Sequence, residues 1–267
     1  MNEKPERPHP GNRAFTRVDL LALLASSVLL AFIVLPALGH VTGKTAIAQC
    51  AANLEQYDMA LQIYGGEYQD NLPTISGANW ACDAPLYYTA WLTNTGMKWT
   101  SLYCPGTSVR FTEQDNWIWW NIYAAAGFRI LGYATTVPGT GSMSEDMTGW
   151  DFSTNINTTL HMRRVADSAG GYVQVAPAAS RVLVADATLT PSFYFPTTDY
   201  AAMLTYDWVY IPNGGPFVPG PGISAHLNGA IPLGGNVGML DGHVEWRNFT
   251  NMVPRAGIFN EVPFFYW

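Results

Sequence analysis

Charge is scarce in this sequence. Asp, Glu, Lys and Arg make up 12% of its 267 residues, while aromatics alone make up 13%. Few charges and many rings exclude a disordered or solvating chain. Cations are scarcer still: 13 Lys and Arg stand against 20 Asp and Glu, for a net charge of -7. Residues 1–64 are balanced at five of each, so the whole excess lies in residues 65–267, with eight basic and fifteen acidic. An acidic domain lacks the clustered cations that phosphate neutralisation needs, so nucleic acid is excluded as a partner. Three cysteines, Cys50, Cys82 and Cys104, are too few for a disulfide scaffold. At most one pair can close, and Cys82–Cys104 is the pair expected in an extracytoplasmic domain. The chain has no G-x-S-x-G, no H-E-x-x-H and no phosphate loop, and its acids show no fixed spacing of glycosidase type. It is not expected to be an enzyme.

What is present is a long apolar run. Residues 20–39 contain no charge. As a helix they span roughly 30 Å, the thickness of a bilayer's hydrocarbon core. A single apolar span must satisfy its backbone internally, which a helix does. Residues 1–14 are polar and Pro-rich and are not expected to fold. Lys4, Arg7, Arg13 and Arg17 precede the run, which places the N-terminus in the cytoplasm and the rest outside.

Two cuts fit the residues. One follows Ala37-Leu38-Gly39 and would release an ordinary secretory protein. The other falls between Ala14 and Phe15 and keeps the apolar helix. The run exceeds the usual 7–15 residues of a signal peptide, and Asp19 stands at its start. The stretch Ala14-Phe15-Thr16-Arg17-Val18-Asp19-Leu20-Leu21 resembles the processing site of type IV prepilins and type II secretion pseudopilins. Phe15, Thr16, Leu20 and Leu21 match that pattern directly, and Val18 and Asp19 match in kind. Pro36 falls 21 residues after Phe15, where that family has a proline. Departures are Ala14 for Gly, Arg17 for an apolar residue and Asp19 for Glu. The resemblance implies cleavage by prepilin peptidase, methylation of the Phe15 amine, and pairing of that amine with Asp19 of a neighbouring subunit. An acid near a helix N-terminus is favoured by the macrodipole, and an acid in a membrane marks a partner.

Beyond the run, Ile47, Cys50, Leu54, Tyr57, Leu61 and Tyr64 recur at spacings of 3 and 4, one stripe on a helix. Lys44, Gln49, Asn53, Glu55 and Asp58 mostly lie off it, and Cys50 reads as a small core residue. Gly65-Gly66 is the expected stop. One helix over residues 15–64 would be some 70 Å long.

The head, residues 65–267, resembles a branch of pseudopilin-like proteins abundant in planctomycetes and verrucomicrobia. Its marks are Cys50, Asn53-Leu54, Tyr64, Asp70-Asn71-Leu72-Pro73, Cys104-Pro105, His226, Gly229, Gly234-Gly235-Asn236 and Asp241-Gly242-His243-Val244. Residues 181–186 read as a buried strand, 206–210 as another, and 134–160 as a long surface loop. Residues 212–222 read as an irregular loop. Residues 236–246 read as a β-hairpin closed by a type I′ turn at Asp241-Gly242. Trp117, Trp119 and Trp120 stack on a glycan, as in a membrane-anchored binding module, or else fill a core or a subunit contact. His226, Asp241 and His243 are metal-ligand types, though a turn Asp usually bonds its own backbone. Some pseudopilins carry a calcium site, but no calcium-loop motif maps onto this head, and no cofactor is expected.

These readings converge on an α+β, pilin-like protein. It has a leader (1–14), a long N-terminal helix (15–64) spanning the bacterial inner membrane once, and a periplasmic or extracellular head with an antiparallel sheet. The expected partners are prepilin peptidase, other pilin or pseudopilin subunits, and the inner membrane.

Overall fold

The computed structural model describes residues 17, 19–21, 23–26, 28, 42–76, 80–107, 112–141, 143, 146–147, 149–161, 164–166, 169–174, 176–211, 224–258 and 262–267. Ala14, Phe15, Pro36 and the loop expected at 212–222 lie outside them. The chain divides into Met1–Thr42 and Gly43–Trp267. In the first unit the described residues 17–28 are helical. Among the described residues no helix is long and apolar enough to cross a membrane. Most of the span expected at 20–39 falls outside them.

The second unit is mixed α+β, with antiparallel sheets. In chain order it holds α1 (Thr42–Glu67), β1 (Asp83–Pro85), α2 (Leu86–Asn94), α3 (Glu113–Ile122), β2 (Phe128–Ile130) and β3 (Tyr133–Thr135). Then come β4 (Val182–Asp186), β5 (Thr188–Thr190), β6 (Gly234–Met239), β7 (Val244–Asn248), β8 (Pro254–Ile258) and β9 (Val262–Tyr266). A four-stranded sheet runs β7-β6-β4-β3, and a three-stranded sheet runs β8-β9-β5. The chain passes from one sheet to the other through Ala187.

The four-stranded sheet is covered on both faces. On one, Tyr133, Val184 and Leu240 join Cys50, Leu54, Tyr57 and Leu61 of α1 in one apolar cluster. On the other, Ala134, Ala185, Val237 and Met239 pack with Ala256, Phe265 and Trp267. Each large side chain so buried contributes roughly 1.5–3 kcal/mol. Cover on both faces explains why β6 is buried along its whole length, instead of alternating inward and outward.

Several expectations need correction. Helix α1 does not stop at Gly65-Gly66 but runs to Glu67, and the left-handed Gln69 and Asp70 (φ 56° and 73°) turn the chain after it. Gly65 is required for close approach: a Cβ there would lie 2.7 Å from Leu160 Cγ. Asn53 and Asp58, expected off the buried stripe, are both buried, Asp58 fully. The described residues of 134–160 are no surface loop, because Thr136, Val137, Met143, Phe152 and Asn157 are buried. Their polar groups are satisfied internally. Asn157 Nδ2 donates to Thr136 Oγ1 (2.6 Å) and Val182 O (2.8 Å), while Arg181 Nε donates to Asn157 Oδ1. Residues 206–210 form an irregular, bent segment around the buried Trp208 instead of a strand. The hairpin of β6 and β7 is present, but its turn is not type I′. Only Gly242 is left-handed there (φ 92°), and Asp241 is not. A type I turn followed by a left-handed glycine fits that pattern.

Candidate functional site

At one end of the covered sheet, polar side chains from four distant segments meet in the core. Asp186 ends β4 on the face toward α1. The register sets Tyr133 of β3 opposite it, and Asn236 of β6 flanks it on the other side. Helix α1 lays Cys50 over this row. The Cys104-Pro105-Gly106 turn and the bend at His226 close the end. Cys50, Cys104, Asp186 and His226 are all buried.

The contacts are short. Cys50 Sγ donates to Asp186 Oδ1 at 2.9 Å. Cys104 Sγ lies 3.4 Å from Cys50 Sγ and 3.2 Å from His226 Nε2. His226 Nε2 lies 3.2 Å from Asp186 Oδ2. One donor atom from each of the four falls within 4.8 Å of every other. A second ring of groups fixes them. Asn236 N–H donates to Asp186 Oδ2 (2.7 Å), and Gly106 N–H donates to Cys104 Sγ (3.3 Å). Tyr133 OH lies 3.8 Å from Cys50 Sγ and accepts from Asn53 Nδ2. Asn236 Nδ2 also donates to Ile47 O, tying the sheet to α1.

Two backbone features serve this cluster. His226 sits at φ 52°, a left-handed conformation that costs a non-glycine residue about 1–3 kcal/mol. Gly106 leaves room for the imidazole, since a Cβ there would lie 2.6 Å from His226 Cε1. Burial alone would lower the pKa of His226, but hydrogen bonds to Asp186 and Cys50 and the Asp186 charge outweigh it and push it up to about 9. Burial, then the Cys50 hydrogen bond and the Asp186 charge, push the Cys104 thiol well above its usual range.

The structure sorts the residues singled out in the sequence. Of the trio His226, Asp241 and His243, it separates the first from the others. Asp241 and His243 form an exposed turn pair (Oδ1–Nδ1 2.6 Å), while His226 joins the buried cluster. The expected Cys82–Cys104 disulfide is not formed. All three cysteines are free, Cys104 faces Cys50, and Cys82 packs in the apolar cluster on the sheet's other face. Cys50 is more than a core filler, since its thiol bonds Asp186. Asp186 and Asn236 carried no functional expectation.

Comparison with protein-family models, curated proteins and solved structures finds no match. The site therefore stands on its own chemistry. Its donors are two thiols, an imidazole and a single carboxylate, a set suited to zinc-class cations. Calcium prefers six to eight oxygens, so the cluster does not fit it.

The tryptophans split by role. Trp119 and Trp120 are buried and only Trp117 is exposed. The Arg129 guanidinium lies 4.1 Å over the Trp120 ring, and Trp99 packs on Trp117 and Trp120. The cavity beside Trp119 holds about 70 Å³, well below the ~300 Å³ of ordinary ligand pockets.

Proposed function

We propose that this chain is a pilin-like structural subunit. Prepilin peptidase cuts it between Ala14 and Phe15 and methylates the Phe15 amine. Residues 20–39 hold it in the bacterial inner membrane, with the head on the periplasmic or outer side. Subunits then assemble through the N-terminal helix into a type II secretion or type IV pilus-like filament.

One observation carries the reading. Helix α1 follows the charge-free run almost directly, and it is two-faced. Cys50, Leu54, Tyr57 and Leu61 are buried in the head, while Lys44, Gln49, Glu55, Gln56, Met59 and Ile63 face outward. A helix docked along one side and open along the other can pack on its copies without disturbing the head. The acidic surface and the scarcity of exposed aromatics in α3 favour this reading over a glycan-binding module.

The test is Asp19→Ala beside Asp19→Glu in the native host. Both variants should be cleaved, and only Asp19→Glu should assemble into sedimentable filaments. Normal assembly of Asp19→Ala would refute the proposed role of the acid.

A further inference from the structure

We propose that Cys50, Cys104, Asp186 and His226 form a closed tetrahedral site for one zinc-class divalent cation, which fastens helix α1 to the head. The inference does not depend on filament assembly.

Geometry comes first. Zinc holds sulfur at ~2.3 Å and imidazole or carboxylate at ~2.0–2.2 Å, so the edges of its ligand tetrahedron measure roughly 3.3–3.8 Å. The donors here stand 2.9 Å (Cys50 Sγ–Asp186 Oδ1), 3.4 Å (Cys50 Sγ–Cys104 Sγ), 3.2 Å (Cys104 Sγ–His226 Nε2) and 3.2 Å (Asp186 Oδ2–His226 Nε2) apart, and with a single Asp186 oxygen every pair lies within 4.8 Å. The four contacts are a little shorter than tetrahedron edges, as hydrogen bonding would make them. Shifts on the order of an ångström, with the Asp186 carboxylate turned to present one oxygen, reach the zinc tetrahedron.

Chemistry comes second. Three acidic groups and one imidazole share a buried volume. One imidazolium can offset the Asp186 charge, but ionised thiolates would leave negative charge in a medium that penalises it heavily. A divalent cation neutralises most of that charge as each thiol and the imidazolium release a proton to solvent. Four protein donors with no open position mark a structural site, not a catalytic one.

The surroundings come third. Metal-bound carboxylates and thiolates are held by outer hydrogen bonds. Asn236 N–H holds Asp186 and Gly106 N–H holds Cys104. The strained φ of His226 and the side-chain-free Gly106 turn the imidazole into the cluster. A plain thiol pair would need none of this.

The ligands lie far apart in sequence: Cys50 and Asp186 are 136 residues apart, Cys104 and His226 are 122. One ion would cross-link α1, the 104–106 turn, β4 and the 226 bend. A Cys50–Cys104 disulfide is the competing outcome, since those sulfurs already touch. It would require the pair to close from 3.4 Å to ~2.05 Å, and it gives Asp186 and His226 no role.

The test uses the full-length chain purified in detergent without added metal. Elemental analysis should find one zinc per chain. Denaturation in chelator should then expose three titratable thiols. Removing zinc should lower Tm, and cobalt(II) should restore it with the intense visible absorption of a tetrahedral thiolate site. Cys104→Ser and His226→Gln should weaken cobalt binding at least tenfold, and Asp241→Asn should leave it unchanged. If the ligand variants do not fold, the wild-type cobalt spectrum decides alone. A metal-free protein with three thiols, a Cys50–Cys104 cystine leaving only Cys82 free, or an octahedral cobalt spectrum would each overturn the proposal.

Discussion

Asp58 stands at the centre of the contact between α1 and the sheet. It is fully buried, and among the described residues neither carboxyl oxygen has a hydrogen-bond partner. Its contact is Gly238, where a Cβ would lie 2.6 Å from Asp58 Cγ and 2.8 Å from Oδ1. Gly238 is paired with Val244 on one side and Val184 on the other, so the strand cannot step back. Gly238→Ala should therefore cost about 1–3 kcal/mol by overpacking. In an Asp58→Ala background the obstacle is gone, and the same change should cost under ~1 kcal/mol. Asp58→Ala alone should stabilise the protein at neutral pH, because a buried polar group without a partner costs about 1–3 kcal/mol.

Burial first, then the charges of Asp241 and Glu55, raise the Asp58 pKa well above the usual carboxylate range. The folded state thus keeps a proton that the unfolded state has lost. Stability is full below the ordinary carboxylate pKa and falls as pH rises, by up to about 1.4 kcal/mol per unit, until the folded carboxyl itself ionises. Urea unfolding of the detergent-solubilised chain, followed by tryptophan fluorescence at mildly acidic and neutral pH, measures all of this. The advantage of Asp58→Ala should grow with pH. A loss of stability in Asp58→Ala at neutral pH, or additive costs in the double variant, would refute the reasoning.

Gly66 is helical, and none of the described residues comes within 4 Å of an added Cβ, so Gly66→Ala should stabilise by about 0.5–1 kcal/mol. Gly65→Ala meets Leu160 and should destabilise by about 1–3 kcal/mol despite the same helical gain; thermal melts of the two variants should shift in opposite directions. Trp120→Ala should cost about 3–5 kcal/mol in urea unfolding. Trp117→Ala should cost under ~1 kcal/mol, and equal losses would contradict the split between the two rings.

How much was legible in advance follows from how local each signal is. The stripe Cys50, Leu54, Tyr57 and Leu61 is a period within one helix, and the structure buries all four. The strand at 182–186 and the β6–β7 hairpin are likewise set by short patterns. Asp58 escaped because its acidity argues for solvent, and only a glycine on a distant strand makes its burial feasible. Residues 134–160 escaped because Gly, Ser, Thr and Asn usually mark loops. Here Arg181 and Asn157 satisfy that backbone inside the core. Three of the four cluster residues were noticed, but in other company: Cys50 as core, Cys104 as half of a disulfide, and His226 as a metal-ligand type grouped with Asp241 and His243. Their convergence on Asp186 depends on strand order, which no sequence spacing reveals. The Cys-Pro-Gly turn, with its N–H aimed at sulfur, was the one local hint.

A filament subunit of the proposed kind must keep its N-terminal apolar run in the finished molecule. Intact mass and N-terminal sequencing of the protein extracted from its native envelope test this most directly. The predicted first residue is Phe15 bearing a methylated amine. A chain beginning at His40, or anywhere beyond the apolar run, would contradict it.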